Sequence, residues 1–169
     1  MKRTIQLLNA LFFFTLFACG QQNSVDNIET DEQWEKYSDS NCEIRYPSEW
    51  DENTSGQMGT SFILFSPLES DDDKFRENVN LLIQDLQGQE LDLNSYVELS
   101  ENQVRTLVTN GEIIKSERQN NQNGEHHKLV YNGSQGLFDL RFEQYFWVID
   151  NKAYILTFTS EKEKFATYK

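Results

Sequence analysis

The 169-residue chain carries 28 acidic and 15 basic residues, a net charge of −13. A field of that sign repels phosphate backbones and anionic headgroups, which excludes nucleic acid and an electrostatic footprint on lipid. An aromatic content of 13% excludes a wholly disordered chain, because it brings apolar surface enough to offset the entropy of ordering.

Lys2 and Arg3 precede an almost wholly apolar run, Leu7 to Phe17, broken only by Asn9 and Thr15. A permanent membrane helix needs about 20 apolar residues, so this shorter run suits the h-region of a signal peptide. It ends in Leu16-Phe17-Ala18-Cys19-Gly20, which resembles a bacterial lipobox. Leu16 is the branched apolar residue three before the cysteine, Ala18 and Gly20 are the small flanks, and Phe17 falls at the tolerant position. The resemblance implies that a signal peptidase recognises Leu16, Ala18, Cys19 and Gly20, removes residues 1–18, and leaves Cys19 acylated. Each buried methylene contributes about 0.8 kcal/mol, so several acyl chains hold a protein where a single chain holds it only reversibly. Residues 19–33 then comprise the lipidated cysteine and a flexible tether, polar and free of aromatics from Gly20 to Thr30. The expected location is the bacterial cell envelope, lipid-anchored to a membrane. Gly20 in place of an acid after the cysteine resembles lipoproteins sorted to the outer membrane, facing the periplasm.

Removing residues 1–18 leaves about 150 residues, a size at which one domain buries about 68–70% of its unfolded surface. A single domain over residues 34–169 is expected. Trp34 to Tyr37 reads as a short strand. Cys42 to Tyr46 alternates apolar and charged residues until Pro47. Thr60 to Ser66 is a dense apolar strand ending at Pro67, and Glu69 to Arg76 is an acidic connection. Val79, Leu81 and Ile83 share one face of the next strand.

The period then changes. Tyr96, Val97, Ser100, Val104, Leu107 and Val108 recur at helical spacing, with Ser95-x-x-Glu98 in capping-box form and Asn110-Gly111 as the stop. Glu112 to Arg118 and His126 to Tyr131 flank Asn123-Gly124, a favoured hairpin pair. Gly136 to Ile149 is a long strand, Asp150-Asn151 a turn, and Ala153 to Thr159 a further strand. Ser160-x-x-Glu163 has capping-box form and predicts a terminal helix to Lys169. Strands around few helices predict an α+β fold: a mostly antiparallel sheet of about six to seven strands packed with helices.

The phrase Tyr46-Pro47-Ser48-Glu49-Trp50, the strands at Phe62–Ser66 and Val79–Asp85, the Ser95-started helix and the long hairpin ending in Ser160-Glu161 together resemble the PsbP-like α/β/α sandwich superfamily. That superfamily includes the photosystem II extrinsic protein, a Ran-binding import factor and many bacterial lipoproteins. The resemblance implies a fold over residues 34–169. It carries over no residue set for calcium, manganese or Ran, and the terminal helix here is short for the family.

Candidate chemistry is sparse. His126 and His127 are neighbours on a strand and so point to opposite faces, which prevents them from sharing a metal. Asp71-Asp72-Asp73 with Glu69 offers hard oxygen ligands but lacks the alternating spacing and turn glycine of a calcium loop; it reads as a solvated loop. No serine lies in a nucleophile elbow, and no glycine loop cradles phosphate. No metal or cofactor is expected. With Cys19 acylated, Cys42 has no mate within the chain and reads as a small buried apolar residue.

Tyr145 and Trp147 alternate against the inward even positions of their strand. They belong to a second core, or, if a short terminal helix leaves their face bare, to a docking surface for a protein or apolar ligand. Trp50, beside its proline turn, reads as packing. The leading expectation is a membrane-held, non-enzymatic binding or assembly module. A carrier of lipid or another apolar ligand stands second, predicting a large apolar cavity between sheet and helix. A hydrolase with an unadvertised site stands third.

Overall fold

The computed structural model describes residues 33–122 and 124–168. The lipobox residues Leu16, Ala18, Cys19 and Gly20, and nearly all of the tether, lie outside the described residues.

Strands β1 (Trp34–Ser38) and β2 (Glu43–Pro47) form an antiparallel hairpin with its own ladder. The main sheet has seven strands in the order β3-β4-β5-β9-β8-β7-β6. These are β3 (Asp51–Asn53), β4 (Thr60–Phe65), β5 (Asn78–Asp85), β6 (Glu112–Asn121), β7 (Gly124–Gln135), β8 (Phe138–Ile149) and β9 (Lys152–Glu161). Helix α1 (Leu93–Leu107) connects β5 to β6. Every pairing is antiparallel, so the fold is the α+β class that the strand pattern predicts. Asp150 and Asn151 both take positive φ (49° and 58°), which suits the two-residue turn joining β8 to β9.

The helix begins two residues before its expected start signal. Asp92 is the N-cap, its carboxylate accepting the Ser95 N–H at 2.8 Å. Asp92 leaves the helical region (φ −84°, ψ 176°), so Ser95 already lies inside the first turn and cannot cap it. Val97 and Val104 of α1 are buried with Leu129, Tyr131, Phe146, Ala153 and Ile155, forming the core between helix and sheet. Alternation along β8 sends Phe142, Phe146 and Val148 into it.

Where the chain leaves α1, it lies against β7. Ser134 N–H donates to Thr109 O at 2.8 Å, and a Cβ on Gly133 would come within 2.4 Å of Val108 Cγ1. Gly133→Ala is therefore expected to destabilise by about 1–3 kcal/mol through overpacking. Urea unfolding would read the loss, and Gly133→Ala with Val108→Ala should recover most of it. Equal losses in the single and double variants would place the strain elsewhere.

The opposite face of the sheet is covered differently from expectation. Residues 162–168 form consecutive turns, not the helix predicted from Ser160 to Lys169. Sheet pairing prevails over the capping-box pattern: Ser160 and Glu161 remain in β9, opposite Arg141 and Leu140 of β8. Lys162 N–H then continues the ladder to Asp139 O at 2.9 Å. The turns are pinned by Lys164, whose ammonium lies 3.2 Å from Glu69, 3.2 Å from Asp73 and 3.0 Å from Glu161. Burial alone would lower that ammonium, but these carboxylates hold it above the usual lysine range. Phe165 and Tyr168 lie against Phe158 of β9, at centroid distances of 5.6 and 6.2 Å.

The β1–β2 hairpin covers a further part of that face. Tyr37, Cys42, Ile44 and Tyr46 pack on Phe62, Leu64, Leu81 and Leu156, and Tyr37 meets Phe62 at 4.6 Å. The Tyr46 hydroxyl lies 3.0 Å from both Glu35 and Glu52, linking hairpin to β3. The Tyr46-Pro47 phrase thus ends one strand and seats a buried ring, while Trp50 turns back through its N–H to Pro47 O and meets Tyr168.

Candidate functional site

The hairpin spans only part of the sheet's second face and leaves a groove beside it. The groove encloses about 560 Å3. Its floor is Phe62, Leu81, Tyr154 and Leu156, with Cys42 and Ile44 of the hairpin side on one wall and Trp147 and Ile149 on the other. Asn41 and Glu43 are the polar members of the lining. The register explains the composition. Leu81 opposes Leu156, Ile83 opposes Tyr154, and Trp147 opposes Tyr154 across β9. Side chains of like parity on three adjacent strands therefore line one trough.

Cys42, expected to be a small buried residue, is half-buried at this wall. Burial and the nearby Asp39 carboxylate push its thiol up to about 11. It stays protonated at neutral pH and behaves as an apolar group rather than a nucleophile.

Trp147 also begins a ladder of rings across the uncovered strands. His126 stacks on Trp147 at 5.1 Å, and Tyr145 lies 6.2 Å from Trp147 and 6.0 Å from His126. Tyr145 and Trp147 thus share the face opposite the helix core, as the alternation predicts, and both are half-buried. Lys128 sits 5.2 Å from the Tyr145 ring centroid and 2.7 Å from Glu143 Oε1. The aromatic patch is therefore flanked by a nearly buried ion pair, with side-chain exposures of 14% and 10%.

The two histidines lie on opposite faces. Both are buried: His126 is held by Gly124 O and Gln119 on the ladder face, and His127 packs toward the helix, 2.7 Å from Ser116 Oγ. Ser116 Oγ also donates to Glu101 of α1. One hydroxyl has one proton, so Ser116 gives it to Glu101 and accepts from His127 Nε2–H. His127 Nδ1 is left buried without a partner. Burial, and then Arg118, lower the His127 pKa. Glu101 is held below its usual value chiefly by the Ser116 hydroxyl, against burial, with help from Arg105. A serine nucleophile needs its proton facing the imidazole and an acid on the far ring nitrogen. Here the order is reversed, and the three side chains tie α1 to β6 and β7. Spacing gave no sign of this cluster, because it joins one helix to two strands.

The acidic connection is likewise internally satisfied at its core. Asp73 accepts the backbone N–H groups of Glu69 and Phe75, each at 3.1 Å, as well as Lys164. Among the described residues, no three His, Cys, Asp or Glu side chains converge on a metal position, and no helix is long and apolar enough to cross a membrane.

No family model and no curated protein matches the sequence. Solved structures do resemble the fold. The solution structure of cyanobacterial PsbP (CyanoP) from Synechocystis sp. PCC 6803 superposes with a TM-score of 0.57 at 15% identity, over 88% of this chain and 91% of that one. LpqN of Mycobacterium tuberculosis, described as involved in cell envelope biogenesis, gives 0.56 at 12% identity, over 72% and 71%. PA94 of Pseudomonas aeruginosa, a protein of unknown function, gives 0.54 at 14% identity, over 80% and 88%. The likeness is one of fold, and that fold is PsbP-like.

Proposed function

We propose that this chain is a bacterial lipoprotein whose PsbP-like domain serves as a non-enzymatic binding module of the cell envelope. The observation that carries the binding role is the partly open second face, where an apolar groove and a ring ladder meet at Trp147. Such a concave, largely apolar surface with few polar groups is the usual form of a binding site. Support for location comes from the lipobox at Leu16 to Gly20 and from the fold shared with LpqN, itself described as acting in envelope biogenesis. Gly20 after the cysteine favours the outer membrane and the periplasmic side. The reversed order of Glu101, Ser116 and His127 speaks against hydrolysis.

A carrier of an apolar ligand is the second reading, and the groove favours it specifically. The cavity lies between sheet and hairpin rather than between sheet and helix. Affinity capture from detergent-solubilised membranes separates the two readings: a defined protein partner supports the module, and a co-eluting lipid supports the carrier.

The anchor has a direct test. Cys19→Ala is expected to appear in the soluble fraction or to persist as an unprocessed precursor, read by membrane fractionation and intact mass. A mature, fully membrane-bound variant would overturn the lipoprotein assignment.

A further inference from the structure

The groove can be assigned a ligand class from its own chemistry; this rests on the carrier reading and deepens it. Its floor belongs to β4, β5 and β9, which are hydrogen-bonded to neighbours on both sides. Along β5 and β9 the backbone N–H and C=O groups are spent within the sheet, so an extended peptide laid on that part of the floor would find no ladder to join. What the floor does offer is a continuous apolar trough formed by Phe62, Leu81 and Leu156. Its volume of about 560 Å3 lies within the range of about 300–1,000 Å3 typical of small-ligand sites.

Two polar handles interrupt that trough. Among the described residues, no hydrogen bond within the chain engages the Trp147 indole N–H or the Tyr154 hydroxyl. Both residues line the groove and both are half-buried. An indole N–H only donates, and a phenol can donate or accept, so the pair suits the oxygens of an ester or alcohol. The rim adds a charge criterion. Glu43, exposed and paired with Lys36 at 3.1 Å, stands beside Asp39 at the hairpin turn, and Asp150 follows Ile149 on the far side. Glu43 is the one charged side chain among the residues that line the groove, and its carboxylate disfavours an anionic head at the mouth.

We infer that the groove between the β1–β2 hairpin and Trp147 holds the acyl chain of an uncharged single-chain lipid, with Trp147 and Tyr154 addressing the oxygens of its head. Burying the chain against Leu156, Trp147 and Ile149, which line the groove and keep part of their surface exposed, removes apolar surface of both partners from water. On the hairpin wall, Cys42 and Ile44 present no charge to the chain, and the exposed Glu43 carboxylate stays at the rim.

The test uses the full chain in mild detergent with a diazirine-labelled 1-monopalmitoylglycerol, compared with palmitate carrying the same label. Cross-links mapped by mass spectrometry should fall on groove residues, and the uncharged probe should label more strongly than palmitate. Ile149 is 50% exposed, so Ile149→Asp leaves the core intact while putting a charge on the groove wall. It should weaken labelling by about tenfold or more, whereas Ile149→Leu should retain it. Labelling spread over the exposed surface, equal labelling by palmitate, or indifference to Ile149→Asp would each overturn the inference. Its failure is separable from that of the anchor. An unlabelled groove with Cys19→Ala still released removes the ligand alone, and labelling with Cys19→Ala still membrane-bound removes the anchor alone.

Discussion

Phe146→Ala is expected to lower the unfolding free energy by about 3–5 kcal/mol, measured by urea denaturation. Phe146 is 2% exposed and stands where β8 meets the helix, with its ring 5.8 Å from that of Tyr96. Its neighbours in register are His127 and Ile155, both on paired strands that cannot move inward without breaking ladder bonds. The cavity would therefore persist, which places the loss toward the upper part of that range. Trp147, one residue on, faces the opposite side and is half-buried, so Trp147→Ala should cost much less. Similar losses for the two variants would mean that stability is not concentrated beneath α1.

Lys128→Met should destabilise by about 3 kcal/mol, because it removes the ammonium facing the Glu143 carboxylate in a nearly buried position. Burial by itself would lower the Lys128 ammonium, yet the bonds to Glu143 and Tyr145 hold it above the ordinary lysine value. Tyr145 also donates to the same Glu143 oxygen at 2.5 Å, so the Lys128, Glu143 and Tyr145 polar groups form one unit beside the ring ladder. The methionine keeps the apolar stem and removes only the charge. Lys128→Met combined with Glu143→Leu should recover most of the stability, since replacing both ions spares their desolvation. A double variant as unstable as the single would show that the pair's cost lies in packing instead of charge.

The strands and the helix were legible because their side chains alternate or recur with the periods of their final environments. Phe142 and Phe146 against Tyr145 and Trp147 is the clearest instance, and both faces of β8 followed from it. Asp150-Asn151 likewise announced its turn through residues that tolerate positive φ. The strand β3 was illegible, since Asp51-Glu52-Asn53 has no apolar pattern and is extended only through pairing with β4. The expected terminal helix does not form, for a related reason. Ser160 and Glu163 satisfy a local capping rule, but Arg141, Leu140 and Asp139 at the far end of the β8–β9 hairpin claim that backbone first. Of the candidate site, Tyr145 and Trp147 were visible in the sequence. Cys42, Ile44, Tyr154 and Leu156 were visible only as strand residues, because a groove depends on where the hairpin crosses the sheet and no spacing encodes that crossing.

The hairpin's separate ladder gives the domain a movable part. Its amides bond to each other, and side chains such as Tyr37 and Tyr46 fasten it to the sheet below. Lifting it would expose those rings while leaving all seven strands intact, so Trp34–Ser38 should exchange amide hydrogens well before β8 and β9 do. A trough walled on one side by such a flap can widen for a guest and narrow behind it at the expense of a few ring contacts, with the sheet itself undisturbed.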